Sequence, residues 1–144
     1  MLAIARTDLE RNGVKHCQVR HGDMYNLQLP GNQFDLAVVH QVLHYAEEPR
    51  AVIDEAARTL RPGGLLIVVD FARHDEVFLQ TEHRHRWLGF DDAEVSGWCL
   101  GAGLETRPVE RLPGKPLTVL IWSATRPLRV GAATAVSMDG EGAR

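Results

Sequence analysis

Phe34-Asp35-Leu36-Ala37-Val38-Val39-His40 and, after a helical segment, Pro62-Gly63-Gly64-Leu65-Leu66-Ile67-Val68-Val69-Asp70-Phe71 decide the fold. Residues 36–39 and 65–69 are unbroken apolar runs, not alternating ones. That pattern is expected of central parallel strands buried on both faces. Between them Val52, Ile53, Ala56, Ala57 and Leu60 recur at helical spacing. Pro49 suits the first helical turn, Glu47 and Glu48 complement the positive N-terminal end, and Arg58 and Arg61 the negative end. Pro62-Gly63-Gly64 is expected to stop the helix and turn the chain. Strands joined in this way cross over right-handedly, and working groups gather just past their carboxyl ends. Those ends carry His40, Gln41, His44 and Tyr45 on one side, and Asp70, Phe71 and His74 on the other.

Upstream, residues 1–12 read as an amphipathic helix with Met1, Leu2, Ala5 and Leu9 on one face and Asn12-Gly13 as its C-cap. No N-cap precedes it. Cys17 and Val19 alternate with Gln18 and Arg20, which predicts a short strand over 16–20, ending near Gly22-Asp23. Leu27 and Leu29 lead into a Pro30-Gly31-Asn32 turn. Downstream, the polar segment 74–90 has partial helical character and holds His83-Arg84-His85-Arg86. Asp91 with Glu94 predicts the start of a helix whose face is Val95, Trp98, Cys99 and Ala102, closed by Gly103. Residues 104–112 and 117–125 read as strands around the Pro113-Gly114-Lys115-Pro116 turn. They are too close for an intervening helix and are therefore antiparallel. Residues 127–144 are small and offer little to bury, so a disordered tail is expected after a single domain over 1–126.

The chain has 144 residues, 44% of them hydrophobic and 24% charged, with a net charge of -3. That is long enough for one domain with a real core. No apolar run is long enough to span a bilayer, and no charged-then-apolar leader opens the chain, so a cytoplasmic protein without a membrane partner is expected. The slight negative charge argues against direct nucleic-acid contact. Cys17 and Cys99 are expected to be reduced core residues.

Gly22-Asp23-Met24, the run 34–45 from Phe-Asp through His-Tyr, Glu55-Ala56-Ala57-Arg58-Thr59-Leu60-Arg61-Pro62-Gly63-Gly64, and the terminal antiparallel hairpin are one pattern. It resembles the class I S-adenosylmethionine-dependent methyltransferases, type 11-like, across about residues 1–126. More narrowly, Phe71 and the run Glu82-His83-Arg84-His85-Arg86-Trp87-Leu88-Gly89-Phe90 look like the methyltransferase domains fused behind an ArsR-type regulator. The resemblance implies a Rossmann-like α/β sheet and S-adenosylmethionine as cofactor. It implies Asp23 and Met24 at the adenine, and His40 and Gln41 lining the methionine and methyl end. The alternative for Asp23 is a turn-capping role. The alternative for His40 and His44 is packing in the core. Facing a substrate, His44 can act as base for an oxygen or nitrogen nucleophile. Tyr45, Asp70, His74 and His83 are the substrate-side candidates for a small-molecule acceptor.

The sequence departs from the family in one large respect. The family's first strand, its glycine-rich loop and the acidic residue ending its second strand are absent, which is expected of an N-terminally truncated methyltransferase that lacks the first two strands. The strand over 36–39 then becomes an apolar edge open to self-association. A chain of this kind is competent for methyl transfer only with the missing part, or else is a non-catalytic, partner-binding remnant. A metal site from His74, His83 and His85 is disfavoured, because His83 and His85 face differently on a helix and no Cys is near. A nicotinamide-dependent oxidoreductase is disfavoured by the lack of a dinucleotide fingerprint.

Overall fold

The computed structural model describes residues 2–128. Along the chain run α1 (Leu2–Arg11), β1 (Phe34–His40), a 3-10 turn (Leu43–Tyr45), α2 (Pro49–Thr59), β2 (Leu60–Phe71), α3 (Phe78–His83), α4 (Asp92–Gly101), β3 (Glu105–Thr106), β4 (Glu110–Leu112) and β5 (Val119–Thr125). They build one mixed sheet of order β1-β2-β5-β3, with β4 also on β5.

The strand–helix–strand unit forms as expected. β1 lies parallel to β2, Leu36 opposite Leu65 through His40 opposite Val69. Pro49 opens α2, and Val52, Ile53, Ala56 and Ala57 are its buried stripe. Pro62-Gly63-Gly64 departs from expectation. The helix ends at Thr59, and the glycines lie inside the ladder of β2 rather than in a loop. The Gly63 N–H donates to Arg126 O at 2.7 Å, and the Arg126 N–H to Gly64 O at 2.9 Å. A Cβ on Gly64 would stand 2.8 Å from Arg61 O and 3.0 Å from Phe34 O, so the close approach of β1 to β2 needs glycine there.

β5 runs antiparallel to β2, Leu65 opposite Thr125 through Phe71 opposite Val119. The strand expected over 104–112 is split around Arg107-Pro108-Val109 into β3 and β4, both antiparallel to β5. A proline has no N–H for the ladder and breaks it. α4 starts with the expected capping box between Asp91 and Glu94.

Burial on both faces of the sheet does not hold. α2 and α4 pack on each other and against the sheet. On the side they cover, Leu66, Val68, Asp70, Leu120, Trp122 and Ala124 are buried. On the opposite side Leu65, Ile67, Val69 and Ile121 are only half-buried, and Leu36 and Val38 are 51% and 54% exposed. Among the described residues β1 pairs with β2 alone. The run that reads as doubly buried is therefore an apolar face with one side uncovered.

α1 forms, and Leu2, Ala5 and Leu9 are its half-buried positions, though none is fully buried. Residues 16–20 are not a strand. Alternation alone does not make one, because a strand needs a neighbour to accept its ladder and no strand among the described residues lies beside this segment. Cys17 is accordingly exposed, against expectation, while Cys99 is buried, which pushes its thiol up to about 11. Most of the expected tail, residues 129–144, lies outside the described residues, as does Met1. No helix among the described residues is long and apolar enough to cross a membrane.

Candidate active site

At the carboxyl ends of β1 and β2 the chain makes a sharp turn. Gln41 takes a left-handed conformation (φ 52°), and its N–H donates to Val69 O at 2.7 Å. This folds residues 42–45 back across the end of β2, so His44 meets Asp70. The His44 Nδ1 lies 2.7 Å from Asp70 Oδ1, and the His44 N–H donates to Oδ2 at 3.3 Å. The Phe71 N–H donates to Oδ1 at 2.8 Å. Asp70 is fully buried and His44 is 2% exposed. A carboxylate with no access to water needs such donors. It fixes the tautomer with the proton on Nδ1 and leaves Nε2 as the nitrogen available to a reactant.

A second segment walls the same place. After α3, Arg84 in left-handed conformation (φ 58°) brings His85 onto His44, ring centroids 4.1 Å apart. His85 lies parallel to Phe71 (11°, 6.1 Å) and edge-on to Tyr45 (5.0 Å). The wall is tied down by the His44 carbonyl, which accepts from the Arg86 N–H at 2.8 Å and the Trp87 N–H at 3.2 Å. The Trp87 indole N–H donates to Ala46 O at 2.7 Å. Residues 88–90 run alongside 71–74, held by Phe90 N–H to Phe71 O (2.9 Å) and His74 N–H to Leu88 O (3.0 Å). That closeness demands Gly89, whose φ is +76° and whose Cβ would fall 2.1 Å from Ala72 O.

The result is a cleft of about 250 Å³ into which Gln41, His44, Tyr45, Phe71, Leu79, His83, His85 and Leu117 converge. Burial first, and then the neighbouring His44, hold the His85 imidazole below its ordinary value. Its Nδ1 is buried without a partner. Burial also lowers His74, opposed by Glu76 and Asp75. Its Nε2 is likewise unpartnered, and its Nδ1 accepts from the Glu76 N–H at 3.2 Å.

The expected site residues are thus divided. His44, Tyr45, His83 and Gln41 line one cleft. Asp70 is fully buried and is not among the residues lining this cleft. It sits behind His44 as the partner of its ring, because its carboxylate is taken up by three N–H groups. His74 packs edge-on to Phe71 outside the lining. His40 is exposed at the end of β1, away from that lining. Asp23 is exposed, and its Oδ1 accepts the Tyr25 N–H at 2.8 Å, a turn-capping contact. Met24 is half-buried over a separate apolar cleft with Leu27, Val39, Val42 and Val52. Residues 23–27 are docked by the Tyr25 hydroxyl, which accepts the Glu47 N–H (2.8 Å), and by Glu55, which accepts the Leu27 N–H (2.9 Å). Sequence reasoning considered His85 only as a metal ligand and missed it for the site; its signal was the His-x-His spacing in an otherwise cationic stretch. Among the described residues no group of three or more His, Cys, Asp or Glu is arranged to hold a metal ion.

Residues 1–68 match the family described as a methyltransferase domain. An uncharacterized methyltransferase of Schizosaccharomyces pombe is 38% identical over 88 residues, 61% of this chain and 32% of that protein. The arsenite methyltransferase of Aquipseudomonas alcaligenes is 32% identical over 118 residues, 77% of this chain and 32% of that protein. In structure, a SAM-dependent methyltransferase of Aquifex aeolicus matches with a TM-score of 0.68 at 19% identity, covering 86% of this chain and 62% of that one. The cyclase SpnF matches with a TM-score of 0.75 at 18% identity, covering 88% and 62%. The chain spans about a third of the length of the curated relatives it matches. The sequence matches are thus to methyltransferases, and the mixed sheet is similar to that of the class I methyltransferases. Their fold is the Rossmann-like mixed sheet described above. The cyclase shares this fold, so the chemistry resides in the site rather than in the sheet.

Proposed function

We propose that the chain carries the acceptor side of an S-adenosylmethionine-dependent methyltransferase acting on a small molecule, with His44 as the base. The observation that supports this best is the buried His44–Asp70 pair presented to a cleft at the carboxyl ends of the parallel strands. S-adenosylmethionine, when bound, would supply an electrophilic methyl carbon and a thioether leaving group that keeps the bonding pair. His44 Nε2 takes the proton of the acceptor's O–H or N–H as that atom bonds to the methyl carbon. Asp70 stabilises the imidazolium, which then gives the proton to water. Tyr45 and His85 orient the acceptor, and the wall around Trp87 excludes water.

The residues present fit one side of an adenosyl group. Met24 offers an apolar surface and Asp23 an exposed carboxylate oxygen beside it. No glycine-rich turn between a strand and a helix stands near them among the described residues. Methyl transfer on this reading needs an N-terminal cofactor-binding part. The relatives' greater length favours that arrangement, whether or not an ArsR-type regulator stands in front of it. Calorimetric titration with S-adenosylhomocysteine tests it. The expected result is binding weaker than millimolar by the 144-residue chain and micromolar binding once it is joined to the N-terminal half of a class I methyltransferase. Tight binding by the chain alone would sink the division of labour proposed here.

A second reading, a remnant that binds a partner chain, is favoured by the exposed Leu36 and Val38 on β1. The two readings differ in whether the joined protein transfers methyl groups.

A further inference from the structure

We infer that the acceptor bound beside His44 is an uncharged, planar aromatic compound carrying a phenolic hydroxyl. This deepens the methyl-transfer reading by naming its substrate class, and it rests on that reading only for the use made of the hydroxyl.

The first argument is charge. Among the described residues, the side chains converging on the cleft include no Asp, Glu, Lys or Arg. The nearest carboxylate, Asp70, is fully buried behind His44 and already holds three N–H groups. A carboxylate, phosphate or ammonium group entering here loses water and finds no counter-ion, which is costly. Burial and the neighbouring His44 both oppose a positive charge on His85.

The second argument is shape and surface. Four rings from three separate segments meet here: His44 and Tyr45 after β1, Phe71 at the end of β2, and His85 after α3. Their centroids are 4.1 to 6.1 Å apart. Leu79 and Leu117 add apolar surface. Tyr45 is 45% exposed with its ring at the opening, so a flat guest can stack on it.

The third argument is the base. A phenol ionises near 10, as the tyrosine side chain does, and an aliphatic hydroxyl nearer the ~16 of water. A histidine paired with a buried carboxylate is matched to the first and poorly matched to the second. In the transfer step the phenolic proton goes to His44 Nε2, the oxygen forms its bond to the methyl carbon, and the carbon–sulfur electrons stay on sulfur. His85 is over nine-tenths buried, and its Nδ1 has no hydrogen-bond partner.

Binding of 2-naphthol, 2-naphthoate and naphthalene to the 144-residue chain, followed by imidazole nitrogen NMR, tests the inference without cofactor. The expected result is sub-millimolar 2-naphthol binding that shifts His44 and His85. Naphthoate and naphthalene are each expected to bind at least tenfold more weakly. Tyr45→Ala, at an exposed position, should weaken 2-naphthol about tenfold, while Val38→Lys on β1 should leave it unchanged. Naphthoate binding as tightly as naphthol, or naphthol binding that shifts neither the His44 nor the His85 imidazole, would overturn the inference. Naphthol binding that meets these conditions, in a protein that never binds S-adenosylhomocysteine even when joined to a cofactor half, would uphold the ligand class and defeat the methyl-transfer reading.

Discussion

His44 and Asp70 lie 26 positions apart, and each is intelligible only through the other. Asp70 accepts the His44 N–H, pairs with the His44 ring and accepts the Phe71 N–H, all in a place closed to water. Asp70→Ala leaves those donors unpaired, and roughly 2–4 kcal/mol of stability should be lost, read as a lower urea midpoint at unchanged slope. The His85 imidazole lies below its ordinary 6.5 in the folded chain, because burial and His44 oppose its charge. The unfolded chain then binds the proton first as pH falls through about 6.5. Stability is full above that value and falls below it. His74 acts with the same sign. A urea midpoint lower at pH 5.5 than at 7.5 is expected, with a smaller drop in His85→Phe; an equal drop would show that His85 is not the group involved.

Among the elements, the ones built from local rules were legible. The Asp91–Glu94 capping box was written in four residues, and it forms as read. Asp91→Ala should cost about 1 kcal/mol and lower the thermal midpoint, since it removes the cap and one of the two carboxylates that pair with Arg73. α2 was legible because its apolar stripe, proline start and basic end agree. Residues 16–20 were misread because alternation is satisfied locally, whereas a strand's hydrogen bonds are satisfied only by a neighbour. The split of the 104–112 strand was written at Pro108, and weighing that one missing donor would have found it. The cleft was half legible. His44, Tyr45 and Gln41 follow from standing after the first strand. Asp70 was expected at the end of the second strand, but its pairing with the His44 ring was not read, and His85 arrives from a segment that no periodicity ties to the sheet.

At the scale of the whole molecule, the sheet has one face under α2 and α4 and one face largely open, with Leu36 and Val38 on the open side of β1. Apolar surface of this kind, at an edge unpaired among the described residues, associates. Sedimentation velocity of the 144-residue chain should show concentration-dependent assembly that Val38→Lys abolishes; because Val38 is already half-exposed, the variant should keep its circular dichroism. The fastenings around the cleft carry one more implication. The peptide of His44 holds the wall at Arg86 and Trp87, and the indole of Trp87 is anchored to Ala46 on the far side of the same turn. Any guest that shifts the wall must disturb that indole, whereas Trp98 and Trp122 belong to α4 and β5. The protein therefore holds a native optical gauge of its own occupancy, readable by following tryptophan emission with Trp98 and Trp122 replaced by phenylalanine.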